Sequence, residues 1–252
     1  MNPLYRIEKK RLFSLKRYRF MSAALFIGAI AFTVYTKVTF WNDIMYTFRI
    51  QDYVLYVFNA VVGVTVILGL YRFGFKKNTI EQAEMSGCSR KKAVTAMWRA
   101  GNSAIFRLYL AMALLIVAMG FVFKAQNSVF QLKAMLISLL MDMVAAVASF
   151  SVALFFLFLT SFWLLPIAVY AVLMSVYPIL MSRWELRGYT LFVYTAAKDA
   201  YSGYMLGRLD LKFIPVFLVY VAAALILSVI VFKFKRKEKF RLRDLFKKKK
   251  QE

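Results

Sequence analysis

The chain has 252 residues, 62% of them hydrophobic, and a formal net charge of +23. It contains no His and a single Cys, which excludes His-based metal sites, His general bases and internal disulfides. Its repeated apolar runs match the ~20 residues needed to cross a ~30 Å hydrocarbon core, so the sequence predicts an all-α, polytopic membrane protein.

Residues 1–19 form a basic cytoplasmic segment. At ~100° per residue Leu4, Ile7, Leu15 and Tyr18 share one arc, with Arg6, Lys10 and Arg17 opposite. Arg11 interrupts that arc and Phe13 falls outside it. The pattern predicts an interfacial helix. The first apolar run, 20–35, is followed by no A-x-A-like cleavage site and reads as a retained span.

Further spans are predicted at 53–71, 105–123 and 213–232. Between the last two lies 134–181, forty-eight residues whose one charge is Asp142. A straight helix of that length would reach about 72 Å, more than twice the hydrocarbon thickness. The run must fold back. A turn at 160–163 is predicted, with Ser161 capping the next helix and Pro166 near its start. The transmembrane domain, 20–233, then has six helices.

Charge orients them. Seven Lys and Arg precede the first span, eight lie in 72–107, and eleven in the tail 233–250, against nine elsewhere. With six spans all 26 fall on one side, so both termini are expected to be cytoplasmic. The same distribution argues against nucleic acid as a partner and for anionic lipids under the basic tail, 234–252. The stretch "GLYRFGFKK" has glycines at Walker spacing but lacks the Lys-Ser/Thr pair, so no nucleotide site is expected on this chain.

The cytoplasmic loop 72–104 holds "NTIEQAEMSGCSRKKAVTAMWRAG", residues 78–101. Thr79 with Gln82, or Asn78 with Glu81, gives overlapping capping boxes, so a helix is expected from about Ile80. Ile80, Ala83 and Gly87 fall on one face of it, with Glu84 beside them and Met85 further round. Gly87 suits a left-handed helix end, and Ser89 can cap a second, basic helix leading into the third span. The segment reads as a rigid bracket.

This arrangement resembles the type-2 ABC exporter permeases, whose second-to-third-span loop carries a coupling helix and a Gly-x-Ser-Arg-like signature. The matching residues are Gly87, Cys88, Ser89 and Arg90, preceded by Thr79, Ile80, Glu81, Gln82, Ala83 and Glu84. Gly87 stands where many members have proline. The resemblance implies a cytoplasmic ATPase as partner, carrying ATP and magnesium, and a second permease copy or a similar permease. It also implies a bacterial plasma membrane. For 182–212, which carries Tyr194, Tyr201 and Tyr204, it implies an extracellular re-entrant hairpin; an interfacial aromatic belt would show the same residues.

Asp142 and, more weakly, Asn59 are polar groups inside apolar runs. A charge there faces protein or water. Asp142 is expected to pair with a cation on a neighbouring span or partner, or to lie by the translocation path. The aromatic, Met-rich interior suits amphipathic or hydrophobic cargo: peptide, drug or lipid. Small exporters of amphipathic peptides such as phenol-soluble modulins are similar in size. A stand-alone channel or immunity protein, and an integral-membrane enzyme, are the alternatives.

Overall fold

The computed structural model describes residues 3–14, 16–39, 56–72, 87, 89–122, 129–176, 218–232 and 234. Among the described residues there are helices and tight turns and no strand. In chain order they are α1 (Pro3–Ser14), α2 (Lys16–Thr39), α3 (Tyr56–Leu70), α4 (Arg90–Val122), α5 (Val129–Thr160), α6 (Leu164–Ala171) and α7 (Leu218–Phe232). A π-helical turn, Val172–Val176, continues α6. α5 shows why the chain is helical: 32 residues dominated by Leu, Phe, Met, Ala and Val, without Gly or Pro. Within hydrocarbon a helix is also the one open-ended element that satisfies its own backbone.

Among the described residues two helices are long and apolar enough to cross a membrane. They are Lys91–Ala118 within α4, 28 residues, and Leu139–Thr160 within α5, 22 residues. Shorter apolar stretches occur at Tyr18–Ala31, Val57–Leu70, Leu164–Met174 and Leu218–Phe232.

The long run does break at Thr160, but not by the predicted device. Ser161 does not cap α6; it takes a left-handed conformation, φ 54°, and its N–H bonds the Leu157 carbonyl at 2.9 Å. It therefore ends α5 rather than starting α6. Trp163 occupies the cap position, without a side-chain bond. The turn is organised by Thr160, whose Oγ1 donates to the Phe156 carbonyl at 2.9 Å and accepts the Phe162 N–H at 3.3 Å. Pro166 lies in the first turn of α6, where its missing N–H costs nothing.

α4 and α5 pack antiparallel. Trp98 Nε1 donates to Ser151 Oγ at 2.8 Å, Gly101 faces the Phe150 ring, and Tyr109 lies near Asp142. The Thr160 turn thus lies at the Arg90 end of α4. Phe158 meets Phe232 of α7, ring centroids 5.1 Å apart, which brings the C-terminal end of α7 to that same end. The turn has no cation of its own, and exposed Lys91 and Lys92 supply positive charge at its level.

Of the predicted apolar arc of the N-terminal segment, Tyr18 is buried and Ile7 is exposed. Leu12 is buried, and Tyr5 and Phe13 are half-buried. The reason is α4. Phe13 accepts the Arg107 guanidinium over its ring at 4.3 Å and meets Tyr18 edge-on at 5.4 Å. Tyr5 reaches Ser103, and its pKa lies below the ordinary phenol value: burial raises it, but bonding with Ser103 and Lys9 and the charges of Lys9 and Arg107 outweigh that. Arg19 Nε closes the α1–α2 corner on the Phe13 carbonyl, 3.1 Å.

The outside of the bundle is apolar as well as its core. Phe106, Leu110 and Leu114 form a one-face stripe on α4, 53%, 49% and 64% exposed. Leu218, Val219, Ile226 and Leu227 are exposed on α7. Such continuous apolar surface is a poor match to water and a good one to lipid.

Candidate functional site

Two polar residues that the sequence offers separately, Asn59 and Asp142, meet in the core. Asn59 lies on α3 and Asp142 on α5, 1% and 3% exposed. Two tyrosines complete the cluster. Tyr109 on α4 donates its hydroxyl to Asn59 Oδ1 at 2.6 Å, and Tyr170 on α6 donates to the Asn59 main-chain carbonyl at 3.1 Å. One side chain from each of four helices is therefore gathered at a single point.

The fourth corner is left open. Asn59 Nδ2 is buried without a hydrogen-bond partner, although the Asn59 amide is the polar group acting on the Asp142 carboxyl. Among the described residues no cation acts on the Asp142 carboxyl; its electrostatic neighbours there are Asn59, Tyr109 and Tyr170. Neutral dipoles on neighbouring helices reach the carboxyl, while the described cations lie at the surface or the ends of the helices.

Close helix approach makes this geometry. A Cβ on Gly63 would enter the Tyr170 ring, so the missing side chain is what admits that ring between α3 and α6. Phe58 stacks edge-on against Tyr109 at 5.1 Å and steadies the second ring. Below the cluster Ser149 Oγ donates to Met174 Sδ at 3.3 Å, joining α5 to the π-helical turn.

The second site is the bracket. Gly87 has φ 81°, the left-handed conformation its sequence context predicts, and it is exposed. Ser89 stands immediately before Arg90, the first residue of α4, and its carbonyl receives the Ala93 N–H at 3.1 Å. From there α4 runs unbroken for 33 residues. Thr79, Ile80, Glu81, Ala83, Glu84, Met85 and Cys88 lie outside the described residues, as do Tyr194, Tyr201 and Tyr204 and the whole of 182–212.

Tyr109 and Tyr170 were not singled out from the sequence. Their signal is present but weak: a tyrosine in the middle of an apolar helix needs a hydrogen-bond partner, and Asn59 is one of few such groups in the spans. Which tyrosine finds it depends on packing. Comparison with known protein families, curated proteins and solved structures gives no match to this chain.

Proposed function

We propose that the chain is the membrane permease subunit of an ATP-driven ABC exporter, with six spans and both termini cytoplasmic, working with a separate cytoplasmic ATPase. The observation that carries this reading is the continuity of α4. A left-handed turn at Gly87 feeds one helix that begins at Arg90, is tied to α5 through Trp98 and Ser151, and reaches the buried cluster at Tyr109. At ~1.5 Å per residue a push on the bracket is delivered about 28 Å away, among four helices at once.

The position of the basic segments agrees with the proposed orientation. The start of α4, the Thr160 turn and the end of α7 share one end of the bundle, and the tail 234–252 leaves from there. In the cycle, ATP-driven closure of two ATPases displaces the bracket of each permease, and α4 carries α5 with it. The joint at Asn59 then opens or closes the path between the helices. An apolar interior of this kind suits amphipathic or hydrophobic cargo.

Copurification tests the assignment. The detergent-extracted chain is expected to bring down a cytoplasmic protein with nucleotide-dependent ATPase activity, and export by reconstituted vesicles is expected to need that protein and ATP. Transport that proceeds unchanged without any ATPase would sink it.

A further inference from the structure

We infer that the Thr160 turn is a membrane anchor: its apolar tip sits in the headgroup layer at the Arg90 end of α4 and gathers anionic phospholipid there. The tip is open to its surroundings. Leu159, Phe162, Leu164 and Leu165 are 43%, 48%, 54% and 41% exposed, and the Phe162 and Trp163 rings lie 5.7 Å apart at 41°. Turns that face water draw on Gly, Asn, Asp and Ser, whereas this one shows large apolar groups. Between Asp142 and Arg183 the sequence has no charged residue at all. Aromatic rings beside such a tip are the side chains that settle at headgroup level.

The backbone of the turn suits low polarity. The Ser161 N–H bonds the Leu157 carbonyl and the Phe162 N–H bonds Thr160 Oγ1, at 2.9 and 3.3 Å, while Pro166 has no N–H to satisfy. Thr160 does inside the turn what water would do outside it. Positive charge surrounds the tip rather than entering it. Lys91 and Lys92 are exposed at its level, and α7, brought to the same end by Phe232, continues in sequence into Lys233, Lys235, Arg236 and Lys237. An apolar tip ringed by cations is complementary to an anionic leaflet: the acyl chains take the rings, and phosphate takes the ammonium groups. A protein partner would have to lift the tip clear of the bilayer, which pulls exposed Leu159, Leu165 and Val172 toward water. The inference rests on the membrane reading and on no ATPase.

The test uses the full chain in lipid nanodiscs without any ATPase, so it is decided apart from the exporter assignment. The two rings are exchanged, Phe162→Trp with Trp163→Phe, and tryptophan emission at 162 is read against the single variant Trp163→Phe. That emission is expected to be quenched by lipid brominated near the glycerol end of its acyl chains and to be protected from aqueous acrylamide. With brominated phosphatidylglycerol diluted in zwitterionic lipid, adding Lys91→Glu is expected to raise the amount needed for half-quenching about fivefold, the effect of one interfacial cation. Quenching by acrylamide with no response to brominated lipid would put the tip in water or against protein and overturn the anchor. An unchanged half-quenching point in Lys91→Glu would overturn anionic phospholipid as its partner. If the exchanged rings prevent folding, wild type read against Trp163→Phe decides in the same way.

Discussion

Asn59 accepts on its side chain from one helix and on its main chain from another, and the two bonds differ in what their loss exposes. Asn59→Leu strands the Tyr109 hydroxyl in the core, and an unsatisfied buried donor costs about 1–3 kcal/mol. Tyr170→Phe removes a bond to a carbonyl that the α3 ladder also serves, so its cost is expected to be smaller, nearer 1 kcal/mol. Thermal melts of the two variants check this. Equal losses would mean that Asn59 is not the hub. Asp142→Asn behaves differently again: breaking a buried ion pair costs about 3–5 kcal/mol, but here no described cation is orphaned, so no such drop is expected.

At the level of elements, two glycines give opposite expectations. A Cβ at Gly63 meets the Tyr170 ring, which is held by its bond to Asn59, so Gly63→Ala is expected to cost about 1–3 kcal/mol through overpacking. Gly28 in the middle of α2 has open space around it, and Gly28→Ala is expected to be neutral or to stabilise by about 0.4–1 kcal/mol through the unfolded chain. Denaturation of the pair side by side reads the difference. The bracket turn obeys a third rule. With φ 81° at Gly87, Gly87→Ala meets the left-handed penalty of about 1–2 kcal/mol, although nothing crowds it. A Gly87→Ala variant with normal fold but reduced ATPase coupling would place that cost at the bracket.

For the whole molecule the decisive experiments concern orientation and coupling. A reporter fused after residue 252 is expected to be active inside the cell, and cysteines placed in 190–205 are expected to label from outside. The double variant Ile80→Asp with Met85→Asp is expected to insert normally, since the proposed topology leaves that segment outside the bilayer, and yet to lose the ATPase or uncouple it from export. Apolar anchors on a short helix dominate such docking, which is why two charges suffice. Arg90→Glu is expected to give a milder form of the same defect. Unchanged copurification and export in the double variant would reduce the bracket to a structural loop.

The sequence by itself determined the class, the break in the long run and the left-handed glycine, because each depends on local chemistry. Forty-eight nearly uncharged residues cannot run straight through a bilayer, and Gly87 sits between two helix-forming segments whatever surrounds it. It also marked Asn59 and Asp142, since polar groups stand out against apolar runs. Tertiary structure alone decided that these two meet, that Tyr109 and Tyr170 join them, and that no described cation does. It also turned α1 so that Phe13 lies under Arg107 while Ile7 faces outward, and moved Ser161 from the start of one helix to the end of another. The physical reason is common to all of these. Periodicity and capping rules see one helix at a time, whereas a hydrogen bond across fifty or more residues depends on which faces the other helices leave free.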